Sequence, residues 1–209
     1  GLMGQDSDTF TRPPLRLGIF GGTFDPPHLG HTTVVTDVTN ALELDQVLWI
    51  PANQPQDKSL RALAPVALRI EMTRAAVGTD LRFELSRIEA ERGGASFTVE
   101  TVRALRRIYP GAILFLIIGT DQFSRLNTWH SPEELLHLAK LVVMDRDGMR
   151  GRDYSPDMEG LDKVCFVGTR RIDISSTDVR AAVRDKRDLS ALVHTGVAEI
   201  ILREGLYRS

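Results

Sequence analysis

Leu15-Arg16-Leu17-Gly18-Ile19-Phe20-Gly21-Gly22-Thr23-Phe24-Asp25-Pro26-Pro27-His28-Leu29-Gly30-His31 is the stretch on which the fold of this 209-residue chain turns. Leu15 to Phe20 is an apolar run that reads as a first β-strand, and Thr32 to Leu44 can be helical. A strand, a glycine turn and a helix start together make a phosphate cradle. Glycines let the backbone approach an anion closely, and the free N–H groups of a helix N-terminus point at it. A P-loop would carry Gly-Lys-Ser/Thr here. This chain instead sets His28 and His31 at i, i+3, where both rings share a face once the helix has begun. Donors on that face can grip phosphate oxygens. Gly21 and Gly22 also suit a plain tight turn, and Asp25 before Pro26 reads as a turn anchor rather than a base. No Cys or carboxylate stands at zinc-finger spacing and no H-E-x-x-H is present, so no metal site is assigned to the pair.

Strand and helix patterns alternate outward from this stretch. The pattern predicts strands over 15–20, 46–50, 81–85, 112–118, 141–144 and 164–167, and helices over 30–43, 65–77, 98–109, 132–139, 177–184 and 189–204. The expected class is α/β: a Rossmann-like, doubly wound, mostly parallel sheet with helices on both faces. Ligands in such sheets bind beyond the carboxyl ends of the strands. The expected organisation is a disordered arm over 1–14 and a single domain over 15–209, with a mobile surface loop over 147–162.

Composition narrows the partners. A formal charge of −2 gives no general electrostatic reason to bind nucleic acid or an anionic membrane. No apolar run approaches the ~20 residues that span a bilayer. The single Cys165 cannot form an internal disulfide, which suits a reducing cytoplasm, and it reads as a small buried hydrophobe. Arg103, Arg106 and Arg107 read as a solvated helix face. Oligomeric state is left open.

A second block, Ile174-Ser175-Ser176-Thr177-Asp178-Val179-Arg180, precedes and opens a helix whose apolar side carries Val179, Ala182 and Val183. Ser and Thr are favoured N-caps, and the same N-terminus is another anion site. The fixed charge and planar fork of Arg180 suit a phosphate.

The first block resembles the G-G-T-F-D-P-x-H-x-G-H signature of the H-x-G-H nucleotidyltransferase superfamily, and the second resembles its I-S-S/A-T-x-x-R. Within it, Ile50-Pro51-Ala52-Asn53-Gln54-Pro55, Ile117-Ile118-Gly119-Thr120-Asp121, Thr128-Trp129 and the closing Glu204-Gly205-Leu206-Tyr207-Arg208 are similar to the bacterial nicotinate-nucleotide adenylyltransferases. The resemblance implies adenylyl transfer from ATP to nicotinate mononucleotide, giving deamido-NAD and pyrophosphate. It implies catalytic roles for His28, His31 and Arg180. It implies ATP contacts at Gly21, Gly22, Thr23, Phe24, Ile174, Ser176 and Thr177, and acceptor contacts at Asn53, Thr98, Gly119, Asp121, Trp129 and Lys58. Magnesium is expected to arrive with the nucleotide, held mainly by phosphates and water.

Trp129 would stack on the pyridine ring, and Ser96-Phe97-Thr98 is similar to the family's S-Y-T. On the residues alone, Ser96 or Thr98 reads as an N-cap, and so does Asp121. Gln56-Asp57-Lys58 departs from the family's P-H-K or P-H-R: Lys58 keeps a cation, whereas Asp57 adds repulsion toward an anion. Alternatives are nicotinamide mononucleotide or phosphopantetheine as acceptor, or a nucleotide-binding module without catalysis. A Rossmann dehydrogenase fits less well, because the G-x-G-x-x-G spacing is missing.

Overall fold

The computed structural model describes residues 12–54, 62–146 and 150–209. Strands β1 (Arg16–Gly22), β2 (Gln46–Pro51), β3 (Phe83–Leu85), β4 (Ile113–Gly119), β5 (Lys140–Asp145) and β6 (Cys165–Gly168) form one sheet in the order β3-β2-β1-β4-β5-β6. Every pairing is parallel, so the sheet is more uniform than the mostly parallel one expected. The order reverses between β1 and β4. The β1–β2 register runs out to Gly22↔Pro51, but the β1–β4 register stops at Ile19↔Leu116. A crevice therefore opens between the carboxyl ends of β1 and β4, the switch point at which doubly wound sheets bind ligands.

The near-continuous apolar runs of the central strands are explained by burial on both faces. Their side chains alternate between two cores. Leu17, Ile19, Leu48, Ile50, Leu114, Leu116 and Ile118 face one layer; Phe20, Val47, Trp49, Phe115 and Ile117 face the other. Helices α1 (Leu29–Ala41), α2 (Val66–Val77), α7 (Ser176–Arg184) and α8 (Thr195–Glu204) pack on the second face. Helices α4 (Thr98–Ile108), α5 (Thr120–Ser124) and α6 (Pro132–Leu138) pack on the first.

Several expectations are corrected. The helix expected from Leu189 begins at Thr195, because His194 is its N-cap and its Nδ1 accepts the Gly196 N–H at 3.1 Å. The short helices α3 (Ile88–Arg92) and α5 had no periodic signal long enough to read. The described part of the expected mobile loop, from Arg150, is packed: a 3₁₀ turn covers Gly151–Tyr154, and Tyr154, Met158 and Leu161 lie against the core. Asp145 accepts the Gly151 N–H there at 2.9 Å. Nor is the basic face of α4 merely solvated. Arg106 donates to the carbonyls of Ala112 (2.6 Å) and Leu138 (3.1 Å), and Arg103 pairs with Glu134. The expected arm falls almost wholly outside the described residues. Among those that are described, no helix is long and apolar enough to cross a membrane.

The register of α8 gives a direct check. Ile201 is fully buried, whereas its neighbour Leu202 is 65% exposed. Ile201→Ala should cost about 2–5 kcal/mol, and Leu202→Ala should stay within about 0.5 kcal/mol. Urea denaturation of the two variants measures this, and equal losses would contradict the packing.

Candidate functional site

The loop after β1 enters α1 through an unusual cap. His28 is the N-cap residue, with extended backbone, and His31 is the third helical residue. Nδ1 of His28 accepts the His31 backbone N–H at 3.3 Å, and Nδ1 of His31 accepts the His28 backbone N–H at 3.0 Å. This is the reciprocal geometry of a capping box, made by two imidazoles in place of Ser/Thr and Glu/Gln. The rings stack with centroids 3.7 Å apart.

The chemistry follows from the hydrogen bonds. A nitrogen that accepts an N–H carries no proton, so each neutral ring keeps its proton on Nε2 and offers one N–H donor. Burial lowers the pKa of His28 from 6.5 to about 4, partly offset by Asp178. Burial, and then the neighbouring His28, push His31 well below its ordinary value. Both are neutral dipolar donors at neutral pH, not cations. Gly30 is required between them. A Cβ there would sit 2.8 Å from Cε1 of His28 and 3.4 Å from the Ile174 carbonyl oxygen.

That second contact brings the two motifs together. Ser175 caps α7 through a capping box with Asp178, so the helix starts at Ser176, one residue earlier than expected. Ser176 Oγ donates to the Pro26 carbonyl (2.8 Å), which ties the α7 N-terminus to the loop before α1. Arg180 Nη1 donates to the Asp25 carbonyl (2.8 Å), and its Nη2 donates to Thr177 Oγ1 (3.1 Å). Two helix N-termini and one guanidinium thus meet at the switch point. The loop itself is held from below. Asp25, buried, accepts from the N–H groups of Leu63 (2.7 Å) and Ala64 (3.1 Å) and from the Tyr207 hydroxyl (2.6 Å). Burial and that carboxylate raise the Tyr207 pKa.

Arg69, which the sequence reading passed over, is 1% exposed. It donates to the carbonyls of Thr23 (2.9 Å), Ala52 (2.6 Å), Asn53 (3.1 Å) and Ala64 (3.0 Å). One guanidinium therefore fixes the loops after β1 and β2. Its signal in sequence was only an arginine on the apolar side of an otherwise ordinary helix.

A cavity of about 510 Å³ opens from this loop into the crevice. Gly21, Gly22 and Thr23 line it together with Thr98, Thr128 and Trp129, and Glu89 and Arg125 are its charged members among the described residues. Phe24 is instead buried in an aromatic cluster with Phe20 and Trp49.

The acceptor set divides accordingly. Thr98 and Trp129 line the cavity, whereas Asn53, Gly119 and Asp121 lie outside its lining. Asn53 is structural in this state: its N–H donates to Ser96 Oγ (2.9 Å) and its Nδ2 donates to the Gly94 carbonyl (2.8 Å). The Gly119 N–H is taken by Gln122 Oε1 (3.0 Å), so Gln122, not Asp121, caps α5. Phe97 is the N-cap of α4, without a side-chain bond, so neither Ser96 nor Thr98 caps it. Lys58 lies outside the described residues. The sequence reading missed Glu89, Arg125 and Gln122. The His130 ring packs against Phe97 in a tilted contact, with centroids 3.9 Å apart.

The chain is similar to known proteins. The cytidylyltransferase-like family profile matches residues 19–182. A Corynebacterium kroppenstedtii protein named "Probable nicotinate-nucleotide adenylyltransferase" is 40% identical over 196 residues, 92% of this chain and 90% of its own length. The like-named protein of Gemmatimonas aurantiaca is 41% identical over 199 residues, 93% of each. The solved structure of Plasmodium falciparum nicotinic acid mononucleotide adenylyltransferase complexed with NaAD has a TM-score of 0.74 at 17% identity. It covers 92% of this chain and 97% of that one, a likeness of fold.

The neutral histidines predict a pH dependence. Unfolded, His28 titrates near 6.5; folded, near 4. Between those values the unfolded chain binds a proton that the folded chain refuses, so this contribution to stability is whole above pH 6.5 and is lost as pH falls toward 4. Tm should therefore fall more steeply over that window in the wild type than in His28→Asn, which keeps a capping oxygen. Parallel Tm curves would contradict the assignment.

Proposed function

The chain belongs to the cytidylyltransferase-like family and, within it, to the nicotinate-nucleotide adenylyltransferases; on that premise we propose that it transfers the adenylyl group of ATP to nicotinate mononucleotide, releasing pyrophosphate. The observation that carries the reading is the reciprocal histidine cap beside Arg180 and the α7 N-terminus, joined by the glycine loop to a cavity that Trp129 also lines.

A phosphate oxygen of the acceptor attacks the α-phosphorus of ATP. The new P–O bond forms as the bond to the bridging oxygen breaks, and that oxygen leaves with pyrophosphate. The nucleophile is already ionised at neutral pH, so no general base is needed. This agrees with two histidines held too acidic to take up a proton there. Nε2–H of His28 and of His31 donate to the phosphate oxygens, and Arg180 supplies the fixed positive charge. The backbone N–H groups at Gly22, Thr23 and Phe24 and at the start of α7 add oriented dipoles. Such a reaction runs on positioning and charge stabilisation.

Trp129 stacks on the pyridine ring, and Thr98 lies beside the ring's substituent. Among the described residues, no three His, Cys, Asp or Glu side chains are grouped to hold a metal. Magnesium would be carried by the ATP phosphates and water, where it would supply charge neutralisation.

His31→Ala should lower kcat by about 10²–10³-fold, the usual loss for one such donor, and should lower stability by only about 1 kcal/mol, for the lost cap. Pyrophosphate release from Mg-ATP measures this, with nicotinate mononucleotide, nicotinamide mononucleotide and phosphopantetheine compared. Selective wild-type turnover of the first is expected. Normal turnover by the variant would overturn the assignment.

A further inference from the structure

The cavity at the switch point carries an asymmetry of charge that the reaction above does not use. Among the described residues, two charged side chains line it. Glu89 is buried, with Oε2 accepting from Thr101 Oγ1 at 2.8 Å, and Thr101 Oγ1 in turn accepts from Arg92 at 2.9 Å. Arg125 is exposed at the cavity wall, and among the described residues its guanidinium has no hydrogen-bond or ion-pair partner. An anionic acceptor entering here meets a carboxylate that is already committed and a cation, Arg125, that has no partner among the described residues.

Arg125 also has a fixed base. It stands at the junction of α5 and the 3₁₀ turn Leu126–Thr128, and its N–H donates to the Gln122 carbonyl at 3.2 Å. Its own carbonyl accepts from the N–H (2.9 Å) and Oγ1 (2.6 Å) of Thr128. The Trp129 N–H donates to the Leu126 carbonyl at 3.1 Å. Phe123 and Leu126, both fully buried, pin this turn to the core. Arg125 and Trp129 are thus carried on one anchored turn and line the same cavity.

The direction of the acceptor follows from its chemistry. Its phosphate must reach the glycine loop, Gly21 to Thr23, to attack. Its ring then lies against Trp129. We infer that Arg125 is a specificity-determining residue, which takes the carboxylate of the acceptor's pyridine ring and so favours the acid over the amide. A guanidinium suits that task, because its planar fork pairs a carboxylate through two parallel hydrogen bonds, whereas a neutral amide offers one acceptor and no charge. The inference rests on the adenylyl-transfer reading of the same cavity.

The test compares wild type, Arg125→Gln and Arg125→Lys on nicotinate and nicotinamide mononucleotides, by pyrophosphate release with saturating Mg-ATP. The ratio of kcat/KM for acid over amide should fall about tenfold in Arg125→Gln, the low end for a charge-assisted hydrogen bond at an exposed site. The loss should lie in KM for the acid rather than in kcat. Arg125→Lys should recover part of the ratio, since it restores the charge without the fork. An unchanged ratio overturns the inference, and so does an equal loss on both acceptors, because Arg125 would then be reading the shared phosphate or only holding the turn. Quenching of tryptophan fluorescence by each mononucleotide alone repeats the comparison without catalysis. If the wild type turns over neither acceptor, the adenylyl-transfer reading fails. The binding ratio then still decides whether Arg125 selects the carboxylate.

Discussion

Two backbone N–H groups held by two imidazole nitrogens set the terms for the rest of the site. The exchange between His28 and His31 satisfies the His28 N–H and shares the His31 N–H, which also donates to the His28 carbonyl at 3.1 Å. It commits both Nδ1 atoms as acceptors and leaves both Nε2–H groups to donate. Stacking at 3.7 Å disfavours charging both rings, since two imidazolium charges at that distance would repel strongly. The same stack leaves no room for a side chain at the intervening position, hence Gly30. The spacing H-x-G-H is thus a geometric requirement of one cap. Its chemical product is a pair of fixed, uncharged donors. The fixed positive charge then has to come from elsewhere, and Arg180 is tied to the same loop through the Asp25 carbonyl.

Such a cap would be of little use on a loose loop. Asp25 anchors the loop to the segment before α2 and to Tyr207 near the far end of the chain, while Arg69 ties the loops after β1 and β2 together from beneath. Both groups are buried and each holds several hydrogen bonds. Removing one hydrogen-bond partner of such a buried group costs about 1–3 kcal/mol, and more where the group is charged. The divergence of β1 from β4 beyond Ile19 then gives the held loop an open crevice to face.

Much of this was legible in sequence because it is local. The central strands are short, near-continuous apolar runs and the helices have apolar stripes. The two motifs sit at helix starts, where Ser175 and the histidines had few alternatives. The parts that were missed depend on distance in sequence. Arg69 looks like any helical arginine until the carbonyls of Thr23, Ala52 and Asn53 converge on it. Gln122 competes with Asp121 for one N–H, and only geometry decides between them. Glu89 and Arg125 carry no motif, and they become a pair only when α3 and the turn after α5 face the same cavity. Conversely, Asn53 and Gly119 matched family positions, yet their polar groups are spent within the protein. Motif matching cannot distinguish a free donor from an occupied one.

The central claim is the protonation state of the two histidines, and nitrogen-15 NMR of imidazole-labelled protein reads it most directly. Long-range proton–nitrogen correlations at pH 7 should show His28 and His31 both neutral, with the proton on Nε2. Those signals should hold without titration as the pH is lowered to about 5, given His28 near 4 and His31 also depressed. A proton on Nδ1 of either ring at pH 7, or titration of either ring near 6.5, would contradict the reciprocal cap and the donor roles derived from it.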